Sequence, residues 1–107
     1  MCGIVGIFGD SNLSEIEVYI SNMTNALKHR GPDSKGIWLD EKRNLALGHR
    51  RLSIIDLSDT GHQPMISNCG RFILSFNGEI YNHLELRKKF EILSKEKNNK
   101  ELIWKGT

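Results

Sequence analysis

Neither sign of charge dominates this chain: 15 Lys and Arg stand against 13 Asp and Glu, leaving a net charge of +2. So small a surplus gives no reason to expect nucleic acid or an anionic membrane as a partner. No apolar run is long enough to span a bilayer. A secretory signal needs a basic start and a longer apolar core, and Asp10 interrupts the first apolar stretch early. A cytoplasmic protein is therefore expected. Cysteine is scarce, with only Cys2 and Cys69. One disulfide could join them, but without an export signal free thiols are the expectation. His29, His49, His62 and His83 have no metal-ligand spacing among themselves or with Cys69, so no metal site is expected. Gly3, Gly6 and Gly9 fit neither dinucleotide nor Walker spacing, which removes a phosphate loop. No internal repeat and no low-complexity segment is found. The remainder is ordinary: 107 residues, 38% apolar and 26% charged, describe one small folded domain.

Gly3 to Phe8 is rich in Ile and Val and predicts a buried strand ended by Gly9-Asp10. Ser14 with Glu17 has capping-box spacing, and Ile16, Ile20, Met23 and Leu27 form one apolar stripe of the helix that follows. His29-Arg30 suits the negative helix end, and Gly31-Pro32 stops the helix. Lys35 to Leu39 predicts a strand and Asp40 to Asn44 its turn. Leu45 to His49 and Leu52 to Ile55 form a longer strand region broken by Arg50-Arg51. The polar stretch from Asp56 to Pro64 is a loop. Arg71 to Phe76 predicts another strand, and Asn77-Gly78 a hairpin turn. Asn82 with Glu85 opens a second helix running to about Ser94, with Lys95 to Lys100 as a solvated loop or frayed end. Trp38 and Trp104 are read as core residues. Leu102-Ile103-Trp104 opens one more strand just before Thr107, an ending expected of a chain cut short of its domain boundary.

Four features carry chemistry, and each has a plainer reading beside it. Cys2 follows the initiator methionine, and cysteine is small enough for removal of Met1 to be expected. The residue would then hold a thiol and a free α-amine together. The thiolate is the nucleophile, and a terminal amine is a recognised base for activating it. Their ordinary pKa values, about 7.7–8.0 and about 8.5, allow a proton to pass between them near neutrality. On position alone, the plainer reading, an ordinary buried cysteine in a first strand, is the favoured one. Arg30-Gly31-Pro32-Asp33 places a charge on each side of a rigid turn, or is simply a helix cap with a surface pair. Arg50 and Arg51 must face opposite sides of a strand. One inside an apolar strand would need an anion, and a guanidinium suits a carboxylate held by two hydrogen bonds. A solvated pair on an edge strand is the alternative. Phe76 to Asn82 contains a plain Asn-Gly turn, or a place where the Asn77 amide and the Gly78 N–H converge on one point. Two such donors are what an oxyanion formed in acyl transfer requires. Glu79 beside them suits a substrate ammonium. Cys69, next to Gly70, is read as structural or incidental.

Five stretches occur in order: Met-Cys-Gly-Ile-Val-Gly-Ile-Phe at the start, His-Arg-Gly-Pro-Asp at 29–33, Gly-His-Arg-Arg-Leu-Ser-Ile-Ile-Asp at 48–56, Gly-His-Gln-Pro-Met at 61–65, and Phe-Asn-Gly-Glu-Ile-Tyr-Asn at 76–82. Together they resemble the class II glutamine amidotransferases, the N-terminal-nucleophile glutaminases. Arg-Arg-Leu-Ser-Ile-Ile-Asp and Asn-Gly-Glu-Ile-Tyr-Asn favour the glutamine-hydrolysing asparagine synthetase branch. The resemblance implies an α+β fold, an αββα sandwich of two antiparallel sheets between helices, of which residues 1–107 would be the first part. The family's Asp-Thr-Glu motif, the rest of the glutaminase domain and the synthetase domain are absent from this sequence.

Carried onto this chain, the resemblance makes Cys2 the nucleophile towards L-glutamine, with its own α-amine as base. Asn77 and the Gly78 N–H would form the oxyanion hole. Arg51 would clamp the substrate α-carboxylate, Glu79 would meet the α-ammonium, and backbone groups from Leu52 to Ile54 would line the pocket. Arg30 and Asp33 would be supporting residues. No cofactor is implied for this chain; ATP and Mg belong to the absent synthetase domain. Two further readings stay open: a module serving another ammonia acceptor, and a silent fragment or binding module whose uncovered sheet faces pair in a homodimer.

Overall fold

Alternation along the first strand sets the architecture. In the computed structural model, which describes residues 1–10, 12–54, 58–98, 102 and 104, β1 runs from Gly3–Phe8. Gly3, Val5 and Ile7 turn to one side and are covered, while Ile4, Gly6 and Phe8 are exposed on the other. The strand is therefore half-buried, where the apolar run alone predicted a buried one. Next comes the helix α1, Leu13–Ala26, and then strands β2, Ser34–Asp40, and β3, Leu45–Arg51. β3 lies between β1 and β2 and pairs antiparallel with both, so that Val5 and Ile37 both oppose Gly48.

The face carrying Val5, Ile7, Ile37, Leu39 and Ala46 packs on α1. Ile16, Ile20 and Ala46 are fully buried there, with the other four around them. Full burial contributes about 1.5–3 kcal/mol for each of the two isoleucines. Of the stripe expected on α1, Ile16 and Ile20 fill the core, whereas Met23 is 40% exposed. Thr24 takes its place, one turn beyond Ile20, and donates its hydroxyl to the Ile20 carbonyl at 2.6 Å. The start of α1 also differs. Asn12 is the cap, its side-chain oxygen accepting the Glu15 N–H at 2.9 Å, and Ser14 only donates to that same oxygen. The helix ends at Ala26, so His29-Arg30 lies in the turn after it.

The β2–β3 turn forms as expected. Asp40 accepts N–H bonds from Lys42 and Arg43 and pairs with the Arg43 guanidinium at 2.8 Å. Asn44 closes the turn at φ 48°, a left-handed conformation that Asn adopts more readily than most residues. β3 stops at Arg51: Leu52 and Ser53 leave the strand, Ile54 is an exposed bend, and Ile55 and Asp56 lie outside the described residues.

Beyond a 3-10 turn at Asp59–Gly61, β4, Met65–Ile66, pairs antiparallel with β5, Ile73–Leu74. The strand expected over 71–76 shrinks to these two residues, and Asn77-Gly78 turns no hairpin. This ribbon faces the side of the sheet opposite α1. A cavity of about 370 Å³ separates Ile4, Gly6 and Leu47 from Ile73, Leu74 and Ser75. The second helix, α2, spans His83–Asn98 and outruns the expected end near Ser94. Among the described residues it packs on no other helix or strand. Its neighbour is Trp104, whose indole N–H donates to Glu91 at 2.8 Å and whose ring lies 5.0 Å from the Arg87 guanidinium. Trp104 is 41% exposed and not a core residue, Trp38 is half-buried, and neither Leu102 nor Trp104 is in a strand. Ile103 falls outside the described residues.

The molecule is thus α+β, with α1, a three-stranded sheet and a short ribbon in layers and α2 apart. Its radius of gyration is 16.1 Å, against about 13 Å for a compact chain of this size. Among the described residues no helix is long and apolar enough to cross a membrane.

Candidate active site

The first strand begins at Gly3, so Cys2 is held beside the end of β3. The Leu52 backbone N–H points at the Cys2 sulfur from 3.3 Å, and the thiol lies 3.8 Å from the Leu52 carbonyl. These residues are 50 positions apart in sequence. Antiparallel pairing joins them, since Gly3 opposes Arg50 and the next residues of each strand run past the ladder together. Cys2 is half-buried, Met1 is 75% exposed, and both Cys2 and Cys69 are free thiols.

The 30–33 turn braces this corner from two sides. Arg30 donates its Nε–H to the Cys2 carbonyl at 3.3 Å. Asp33 donates its N–H to the Arg51 carbonyl at 3.0 Å and accepts the Ser53 N–H on its carboxylate at 2.7 Å. Between them Gly31 sits so close to β3 that an added Cβ would collide with the Arg50 carbonyl and the Arg51 nitrogen. The motif is thus tertiary structure, more than a helix stop with a stray charge pair.

The two arginines part as strand alternation requires. Arg50 shares the α1 side with Gly3 and Lys35, is 6% exposed, and its Nε has no hydrogen-bond partner among the described residues. Arg51 faces the other way, half-buried, and donates to the Ser58 carbonyl at 2.7 Å, its guanidinium lying against Gly61. The buried arginine is therefore Arg50. The one beside the Cys2 corner on the open side is Arg51.

The remaining candidates are placed apart. Asn77, Gly78 and Glu79 are exposed, and no hydrogen bond recorded among the described residues joins them to Cys2. They follow a residue that is firmly held. His49, 1% exposed on the face opposite α1, has its Nε2 3.2 Å from the Phe76 carbonyl oxygen. Gln63 accepts the Phe76 N–H at 2.6 Å. Burial pushes the His49 pKa down, the nearby His62 and Arg51 add to this, and only the Phe76 carbonyl opposes it. A neutral imidazole there donates from Nε2 to the carbonyl. Sequence reading placed His49 and Gln63 within motifs but assigned neither a role. The signal for His49 was its place in β3, two residues from Leu47 on the same face. Gln63 offered only its place in the Gly-His-Gln-Pro-Met stretch, before Pro64. Among the described residues no group of three or more His, Cys, Asp or Glu is placed to hold a metal ion.

A sheet-held cysteine behind the initiator methionine thus meets Leu52, the residue after Arg51, while the exposed Asn77-Gly78 segment stands apart and is tied to the same sheet through Phe76. Residues 1–101 match the model of the glutamine amidotransferase domain family, and the chain belongs to that family. Among curated relatives it is 42% identical to a putative glutamine-hydrolysing asparagine synthetase of Methanocaldococcus jannaschii, over 98% of this chain and 23% of the relative. It is 44% identical to glutamine-hydrolysing asparagine synthetase 1 of Bacillus subtilis, over 85% of this chain and 14% of the relative. A Brassica oleracea asparagine synthetase is also 44% identical, over 82% of this chain and 15% of its own length. The chain thus spans less than a quarter of the relatives it matches. No solved structure matches it significantly.

Proposed function

We propose that this chain is the leading part of the glutaminase of an asparagine synthetase, hydrolysing L-glutamine to glutamate and ammonia. The carrying observation is the 3.3 Å contact between the Cys2 sulfur and the Leu52 N–H, which puts the thiol one residue from Arg51. Once Met1 is removed, the Cys2 α-amine takes the thiol proton and the sulfur attacks the glutamine side-chain amide carbon. Asn77 and the Gly78 N–H stabilise the tetrahedral oxyanion. The C–N bond then breaks, the amine returns its proton, and ammonia leaves a γ-glutamyl thioester. Water hydrolyses the thioester to glutamate and free thiol. Arg51 binds the α-carboxylate, Glu79 the α-ammonium, and the backbone of Leu52 to Ile54 lines the pocket. Arg30 and Asp33 hold the corner in shape. The ammonia goes to an aspartate activated by ATP with Mg, in a synthetase domain beyond these residues.

The layers support an N-terminal-nucleophile sandwich as the parent fold: α1, then the sheet, then a ribbon facing it, is the order in which an αββα stack begins. A cytoplasmic site of action fits this chemistry. The test is glutamate release from glutamine by the purified chain. Cys2→Ala, or retention of Met1, is expected to reduce it to background, and full release from Cys2→Ala would overturn the reading. A chain that has lost Met1 and still releases nothing would instead be the silent fragment.

A further inference from the structure

Phe76 is the residue through which Asn77-Gly78 is attached to the fold, and among the described residues its peptide groups are held by two side chains. Its carbonyl meets His49 Nε2 at 3.2 Å, and its N–H donates to Gln63 Oε1 at 2.6 Å. Both partners are fixed. His49 is 1% exposed in the central strand. The Gln63 backbone presses on Gly36 of β2, where an added Cβ would overlap the Gln63 carbonyl oxygen. The Phe76 ring in turn packs on Gly78: a Cβ there would stand 2.9 Å from Cζ and 3.2 Å from Cε2. An unbroken series of contacts therefore runs from the sheet through His49 and Gln63 to Phe76 and then to Gly78. β5 ends at Leu74, so no strand ladder reaches Phe76 to do this instead.

We infer that His49 and Gln63 are positioning residues that clamp the Phe76 peptide and so set where the Asn77 amide and the Gly78 N–H stand. The inference rests on the oxyanion role proposed for those two groups. A donor pair misplaced by a fraction of an ångström still lets substrate bind but stabilises the transition state less.

Two measurements test it. In amide hydrogen exchange, Gln63→Ala is expected to speed exchange at Phe76 about tenfold, the loss of its one hydrogen bond to Gln63, and to shift the Asn77 and Gly78 resonances. Val5 and Leu47 should keep their protection. Gln63→Glu, which retains the acceptor oxygen, should restore Phe76. Unchanged exchange at Phe76 in Gln63→Ala, or equal loss in both variants, overturns the inference. In glutamine hydrolysis, Gln63→Ala should lower kcat about 10- to 100-fold with KM within about twofold, as for a lost transition-state contact, and Gln63→Glu should recover most of it. A rise in KM at constant kcat overturns it. If Gln63→Ala does not fold, His49→Gln decides by the same readouts: faster exchange at Phe76 supports the clamp and unchanged exchange overturns it. Glutamate release surviving Cys2→Ala would sink the glutaminase reading, while the exchange result at Phe76 would stand independently.

Discussion

The residues up to Arg51 and those from Ser58 onward are held by different physics. The first region owns the buried core, two full strand registers and a helix lying across three strands. The second has a two-residue ladder, a helix that packs on no other element among the described residues, and apolar side chains in the open, including Phe72, Ile80, Phe90 and Ile92. The nucleophile candidate belongs to the first region and the oxyanion candidates to the second. Rigidity is thus unevenly shared across the proposed site, and the weaker half depends on side-chain tethers back to the stronger.

Substitutions should expose that contrast. Ile20→Ala removes a fully buried side chain from under the sheet and is expected to cost about 2–5 kcal/mol, read from urea unfolding. Leu74→Ala, at a position 54% exposed in the ribbon, should cost under about 1 kcal/mol in the same measurement. Equal losses would erase the distinction. Gly31→Ala pushes a methyl group into the Arg50–Arg51 backbone and should cost about 1–3 kcal/mol, with the Cys2 corner disturbed before the ribbon.

A gentler probe is pH. The His49 pKa is lowered chiefly by burial, so the unfolded chain takes up the proton more readily than the folded one. Its stabilising effect is present above the ordinary histidine value of about 6.5 and is lost as pH falls through the folded-state value. Urea midpoints should drop with acid across that window, and His49→Gln should flatten the drop. The smallest effect belongs to Asp40→Asn. The Arg43 hydrogen bond lowers the Asp40 pKa, but the pair is at the surface, and unfolding midpoints should not measurably move.

The same division marks what could be read from sequence. β1, β2, the Asp40–Asn44 turn and the body of α1 were legible, because alternation, a helical stripe and turn chemistry act within a few residues. The cap of α1 was misassigned to Ser14 since Asn12 offers an equally good oxygen two residues earlier. Downstream, Phe72, Leu74 and Phe76 alternate as a strand does, yet only Ile73–Leu74 finds a ladder partner, and the Phe76 groups go to Gln63 and His49 instead. No local pattern announces such a side-chain substitute for a strand. The candidate site divides likewise: Cys2, Arg30, Asp33 and Arg51 are brought to one corner, while Asn77 to Glu79 are tied in through His49 and Gln63, which two of the motifs contain without giving them a role.

The grip on the Cys2 sulfur has a consequence for how this corner tolerates change. Both Leu52 atoms that meet it are main-chain atoms. Every amino acid except proline offers the same N–H, so position 52 can vary in side chain and keep its hold on the thiol. Selection for that hold alone would act on the path of the backbone.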